Sequence, residues 1–141
     1  MASPRYILDT DSVTFHQLER PAIVRRLAQV APDEVATTVI TLYEQLRGRL
    51  AAINRQQNDA DVQLAFQRLQ RTHTYFCRVP VVSFDTEAMA WYQQLLQQKL
   101  RIGTQDLRIA AIVLSRKAML VTSNRRHFDQ APGLQIEDWN A

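Results

Sequence analysis

Gly103-Thr104-Gln105-Asp106-Leu107-Arg108-Ile109-Ala110-Ala111-Ile112-Val113-Leu114-Ser115, continued by Met119-Leu120-Val121-Thr122-Ser123-Asn124, is the stretch whose reading decides how this chain folds. Leu107, Ala110, Ala111 and Leu114 recur at i, i+3, i+4 and i+7, the spacing of one helix face, and Gly103 and Thr104 supply the opening. The spacing predicts a buried helix with one acid, Asp106, in its first turn. Ala118 to Thr122 then reads as a strand that ends at Ser123-Asn124. A carboxylate in a first turn complements the helix dipole, so Asp106 alone asks for nothing beyond support of the helix N-terminus. A second acid on a different local frame, near the start of the chain, changes that.

Arg5-Tyr6-Ile7-Leu8-Asp9 reads as a short buried strand with an acid at its carboxyl end, the end at which open α/β sheets bind ligands. Thr10-Asp11-Ser12 suits a turn and a helix cap, and Val13 to Leu18 is expected as a short helix. Pro21 starts another, with Ile23, Val24, Leu27 and Val30 on one face until Pro32. Val35 to Ile40 is rich in β-branched residues and reads as the second strand. From Thr41 the period turns helical through Leu42, Leu46, Leu50 and Ile53, with Glu44 near the helix start. Asn54 to Asp61 interrupts it, and Val62, Ala65, Phe66, Leu69, His73 and Phe76 resume it, so residues 42 to 75 are expected as a helical hairpin. Val79 to Phe84 reads as the third strand, and Asp85 or Thr86 caps a helix carrying Met89, Tyr92, Leu95 and Leu96. Arg125 to Phe128 forms a short helical turn, Pro132-Gly133 a turn, and Leu134 to Ile136 a last short strand. Strands that alternate with helices argue for one α/β domain over residues 1–141, a parallel sheet wrapped by helices.

Composition narrows the class. The 141 residues fit one domain with its own core, and the apolar share of 46% is that of an ordinary globular protein. Only three apolar residues separate Arg5 from Asp9, and no run approaches membrane-spanning length, so a soluble, cytoplasmic protein with no membrane partner is expected. The single cysteine, Cys77, stands beside Phe76 in expected core and has no internal partner, which points to a reducing compartment. The balance of 17 basic to 14 acidic residues gives +3, compatible with a phosphate-bearing partner, and the bases are mostly arginines, whose fork suits phosphate. Trp91 and Trp139 are expected as packing anchors, since a buried tryptophan removes much apolar area from water. His16 and His73 carry no expected role, while His127 is read either as facing phosphate or as a surface residue.

Asp9, Glu44, Asp106 and Asn124 all fall where a strand ends or a helix begins. If the strands are parallel neighbours, these side chains meet at one edge of the sheet. Oxygen ligands without histidine or cysteine select a hard cation, Mg²⁺ or Mn²⁺, over zinc. Such a cluster cleaves phosphodiesters without a side-chain nucleophile, which suits a chain whose one cysteine and three histidines form no triad pattern.

Five segments in order carry a resemblance. Tyr6 to Asp11, Val39 to Gly48, Gly103 to Ala111, Leu120 to Phe128 and Gly133 to Trp139 resemble the PIN-domain family, with the VapC toxin branch of type II toxin–antitoxin systems the nearest in pattern. The resemblance implies a PIN-like three-layer sandwich, a mostly parallel twisted sheet flanked by helices with a helical hairpin insertion. It also implies a Mg²⁺-dependent endoribonuclease, often a homodimer, neutralised by a small VapB-like antitoxin. Carried over by position, Asp9 and Asp106 are the principal metal ligands and Glu44 the third acid. Asn124 stands where many members have a fourth acid, which puts a second tightly bound metal in doubt. Asp11 either joins the cluster or caps the first helix, with capping favoured. Arg125 and Arg126 follow Asn124 directly and are the candidate RNA contacts.

Two other enzyme patterns fail on order. Asp9-Thr10-Asp11-Ser12-Val13 also fits the opening motif of haloacid-dehalogenase phosphatases, and Val121 to Asn124 their second, but no lysine follows Asn124. A receiver domain needs the same late lysine. A non-enzymatic alternative remains, a PIN-like RNA- or protein-binding module with a weak metal site.

Overall fold

The computed structural model describes residues 3–141. Its elements run β1 (Tyr6–Leu8), α1 (Thr10–Gln17), α2 (Pro21–Ala28), β2 (Val35–Thr38), α3 (Val39–Arg55), α4 (Asp59–Arg78), β3 (Val81–Val82), α5 (Thr86–Gln97), α6 (Thr104–Ser115), β4 (Met119–Val121), α7 (Arg125–Phe128) and β5 (Gln135–Glu137). The five strands form one sheet in the order β3-β2-β1-β4-β5, and every pairing is parallel. Leu8 sits opposite Thr37 on one side and Val121 on the other, so β1 is central and all three of its residues are buried.

Side chains alternate across a strand, so β1 serves two cores. Ile7 packs with Ala36, Leu120 and the α6 residues Leu107, Ile109 and Ile112 on one face. Tyr6 and Leu8 pack with Val13 of α1, Ile23 of α2 and Trp139 on the other. Helices therefore cover both faces, the three-layer arrangement expected. α6 carries more than an amphipathic stripe, because Leu107 and every residue from Ile109 to Val113 are buried. The continuous apolar run of its sequence has no wet face to serve.

Several boundaries differ from the sequence reading, each for a local reason. The β-branched run Val35–Ile40 does not stay extended, because the Thr38 hydroxyl accepts the Thr41 N–H at 3.1 Å and starts α3 at Val39. α1 begins at Thr10, with Asp9 as its cap: Asp9 Oδ1 accepts the Ser12 N–H at 2.8 Å. Asp11 is thus not the cap, and stands exposed in the first turn. β3 shrinks to Val81–Val82, with Pro80 contributing only a carbonyl, to Thr37 N–H. The hairpin is present as α3 and α4, packed on each other, with Asn58 capping the second helix through Asp61 N–H. Its apolar stripe is not uniformly buried, since Leu50 and Phe66 are each 53% exposed. Cys77 lies exposed on α4 rather than in core, and Trp91 is also exposed; Trp139, at 4%, is the anchor expected. None of the described helices is long and apolar enough to cross a membrane.

Candidate active site

Parallel strands deliver their carboxyl ends to one edge, and that edge collects the acids. Asp9 follows β1 directly, and Glu44 lies in the second turn of α3, which follows β2. α6 leads into β4, so it runs back across the sheet and its first turn, with Asp106, starts at the same edge. Asn124 stands three residues beyond β4.

Asp9 is the buried member, 4% exposed. Its backbone N–H continues the ladder to Val121 O at 3.0 Å, and Ser12 Oγ donates to that same carbonyl at 2.9 Å. Burial pushes its carboxyl up from 3.8 to about 6, against the hydrogen bonds from Thr122 and Ser12, while the Asp11 charge adds to the rise. Glu44 is held in place by Thr10, whose hydroxyl donates to Glu44 Oε1 at 2.7 Å and lies 3.1 Å from Thr41 Oγ1. Asp106 makes no cap bond, and Gly103 caps α6 without a side chain. Its carboxyl is raised first by burial and then by the charges of Glu44 and Asp11, while His127 opposes the rise. His127 Nε2 stands 3.5 Å from Asp106 Oδ2 and 3.4 Å from the Gly103 N–H that it accepts.

Asp106, Glu44 and Asp11 therefore share one field, and Asp11 links that field to Asp9. Asn124 joins through the backbone: its N–H donates to Thr122 Oγ1 at 3.0 Å, and its exposed amide makes no hydrogen bond among the described residues. The donor set suits a hard cation, all oxygen and mutually repelling. The acids are not drawn tightly together, for among the described residues no three His, Cys, Asp or Glu side chains stand close enough to hold one ion.

Arg125 and Arg126 are exposed beside this edge but differ in freedom. Arg125 Nη2 donates to Ile136 O at 3.1 Å, while Arg126 has no side-chain hydrogen bond or ion pair among the described residues. Residues outside the expected acid cluster also serve the site. Thr10 fixes Glu44, Thr122 bridges Asp9 and the Asn124 backbone, and His127 faces Asp106. The Thr10 signal was present, a hydroxyl directly after the strand-end acid, but its partner lies 34 residues away. His16 is not idle either, since its Nδ1 lies 2.7 Å from the Tyr75 hydroxyl and ties α1 to α4.

A parallel sheet in this order, with acids at its carboxyl edge and helices on both faces, is the PIN-domain fold. No family model matches the chain. Ribonuclease VapC1 of Haemophilus influenzae is 29% identical over 136 residues, covering 95% of this chain and 97% of the relative. The tRNA(fMet)-specific endonuclease VapC of Salmonella typhimurium is 29% identical over 139 residues, 96% of this chain and 98% of the relative. Among solved structures, VapBC-1 from nontypeable Haemophilus influenzae matches with a TM-score of 0.77 at 26% identity over 96% of this chain and 98% of that one. DNA-bound VapBC from Salmonella typhimurium matches with a TM-score of 0.78 at 26% identity and the same coverage. Over nearly its whole length the chain is similar to VapC ribonucleases, and its fold is that of the PIN-domain toxins in VapBC complexes.

Proposed function

We propose that this protein is a metal-dependent endoribonuclease that cleaves RNA phosphodiester bonds, the toxin of a VapBC-type pair restrained by a small VapB-like antitoxin. The observation that supports it most is the placement of Asp9, directly after β1, with Glu44 and Asp106 at the carboxyl edge of one parallel sheet, where burial and neighbouring acids raise the Asp106 carboxyl. Full-length relatives named as VapC ribonucleases, and solved VapBC complexes of the same fold, support the RNA substrate and the antitoxin.

In this reading Asp9, Glu44 and Asp106 hold Mg²⁺ or Mn²⁺, with Asn124 as a neutral oxygen donor. When bound, such an ion supplies Lewis-acid polarisation of the phosphodiester and a water of lowered pKa. The chain's own residues do the rest. Thr10 and Thr41 keep Glu44 aimed at the edge, Ser12 and Thr122 keep Asp9 oriented, and Arg125 and Arg126 attract the phosphate backbone. The protein works in the cytoplasm as a homodimer; the exposed apolar side chains Tyr43 and Leu50 on α3 and Met89 and Leu96 on α5 suit contact with a second copy.

The test is cleavage of structured RNA by purified protein with Mg²⁺ or Mn²⁺, and its arrest by EDTA. Cleavage that persists after thorough chelation, with contaminating nuclease excluded, refutes the metal-dependent reading. The spacing of the acids favours a second reading, a PIN-like RNA- or protein-binding module with a weak metal site. Intact RNA in the presence of either ion would support it.

A further inference from the structure

Beside the acid edge runs a large cationic groove that the site does not account for. It lies between α1 and the α3–α4 hairpin, encloses about 940 Å³, and is lined by Arg49, Arg68, Arg71 and Arg78 together with Thr and Gln side chains and no carboxylate. None of the four arginines pairs with an acid among the described residues. Arg68, Arg71 and Arg78 are exposed on one side of α4, where three- and seven-residue steps return to nearly the same face. Over those ten residues the helix advances about 15 Å. Arg49 is fixed across the groove, since its Nε donates to Thr72 Oγ1 at 3.1 Å and the Thr72 hydroxyl donates in turn to Arg68 O at 3.0 Å. That bond engages Nε and leaves the two terminal nitrogens of the fork for a ligand.

The groove and the acids share two helices. Its walls α1 and α3 are the helices that carry Asp9 and Glu44 at their starts. Gln45, next to Glu44, donates to Thr14 Oγ1 at 3.2 Å, and Gln17 donates to Gln45 Oε1 at 2.7 Å, so the residue after Glu44 is tied to two of the groove's lining residues. Resting on the nuclease reading above, we propose that this groove is a phosphate-backbone track that holds the RNA strand on one side of the scissile bond. Four guanidinium forks with no acidic partner among the described residues, interspersed with hydroxyls and amides, are the chemistry of phosphodiester contact. A docked acidic protein segment would call for apolar anchors, and the lining offers only Leu18 and Tyr75, whose hydroxyl is already engaged by His16.

The test is fluorescence anisotropy of full-length protein with a labelled oligoadenylate in EDTA, titrated at several salt concentrations. Arg68→Ala/Arg71→Ala removes two contacts, so the plot of log affinity against log salt should flatten by about 1.4 and binding at about 0.1 M salt should weaken about 25-fold. Arg68→Lys/Arg71→Lys keeps the charges and should retain most of the slope, which separates lost phosphate contact from lost fold. An unchanged slope and affinity in the folded alanine variant overturns the track. Polyglutamate is the competing probe: displacement of the RNA by polyglutamate at equal charge concentration would assign the groove to an acidic peptide and overturn the RNA assignment. Because nothing is cleaved in EDTA, a flattened slope in a protein that never cuts RNA upholds the track while refuting the nuclease, and the reverse result does the opposite.

Discussion

His127 Nε2 lies 3.5 Å from Asp106 Oδ2, so the short helix after β4 reaches back to the first turn of the helix before it. Neither residue suggests this contact from its own neighbourhood. The imidazole opposes the rise that burial, Glu44 and Asp11 impose on Asp106. His127→Ala should therefore move the Asp106 titration further up, and carboxyl-detected NMR over a pH series reads it. An unmoved Asp106 would mean that the histidine is held by Gly103 alone.

Asp106→Asn separates a metal ligand from a helix support. The amide keeps the shape of the side chain and removes one of the mutually repelling charges, so the metal-free variant should melt no lower than wild type. Mg²⁺ at ten times its dissociation constant should stabilise wild type by about 1.4 kcal/mol and the variant by much less. Equal metal-induced shifts in the two melting curves would remove Asp106 from the ligand set. If the acid only complemented the dipole of α6, its loss would cost up to about 1 kcal/mol with or without metal.

Much of this architecture was legible in the sequence because its signals are local and strong. β1, α6 and β4 are apolar runs of the right length beside acids, and their order places Asp9 and Asp106 on one edge before any contact is known. What stayed hidden depends on contacts between distant segments. Val39 and Ile40 look like strand until Thr38 caps a helix through Thr41. Helix ends were blurred because Glu19, Lys99 and Lys117, with φ of 56°, 52° and 52°, occupy left-handed positions where glycine would have marked the stop. Each costs about 1 kcal/mol that packing must offset. Cys77 and Phe66 read as core because the hairpin's stripe is apolar, yet that helix pair presents part of its stripe to solvent. His127 was open between two readings, and its contact with Asp106 depends on the return of α7 to the start of α6.

Asp9 makes stability depend on pH in a definite direction. Its carboxyl titrates near 6 in the fold and near 3.8 when unfolded, so the folded state binds the proton more tightly. The associated stability is fully present below the unfolded value and is lost as pH rises through the folded one, by about 3 kcal/mol in metal-free protein. Asp9→Asn retains an acceptor for the Ser12 N–H but cannot ionise. In EDTA the variant should match wild type near pH 3.5 and exceed it at pH 7, with the gap opening between roughly pH 4 and 6. Chemical denaturation at a series of pH values measures the gap, and a constant difference would show that Asp9 ionises freely in the fold.

The basic pair beyond Asn124 should not act as a unit. Arg125 donates to Ile136 O at 3.1 Å and lines a pocket with Arg25, Arg26, Glu137 and Asp138, so part of its fork and field is already spent on the β5 end. Arg126 is exposed and has no side-chain hydrogen bond or ion pair among the described residues. A free arginine beside the acid edge can meet phosphate at little cost, whereas Arg125 must first give up its carbonyl. Arg126→Ala should lower the salt slope of RNA binding by about 0.7, the release from one single-stranded phosphate contact, and Arg125→Ala by less. The loss should be the same for RNAs of different sequence, because phosphate contacts position the strand and do not read it. Binding isotherms in EDTA with two RNAs of unrelated sequence test both statements: a larger effect from Arg125→Ala would mean that RNA displaces the Ile136 contact and runs toward β5, away from the start of α6.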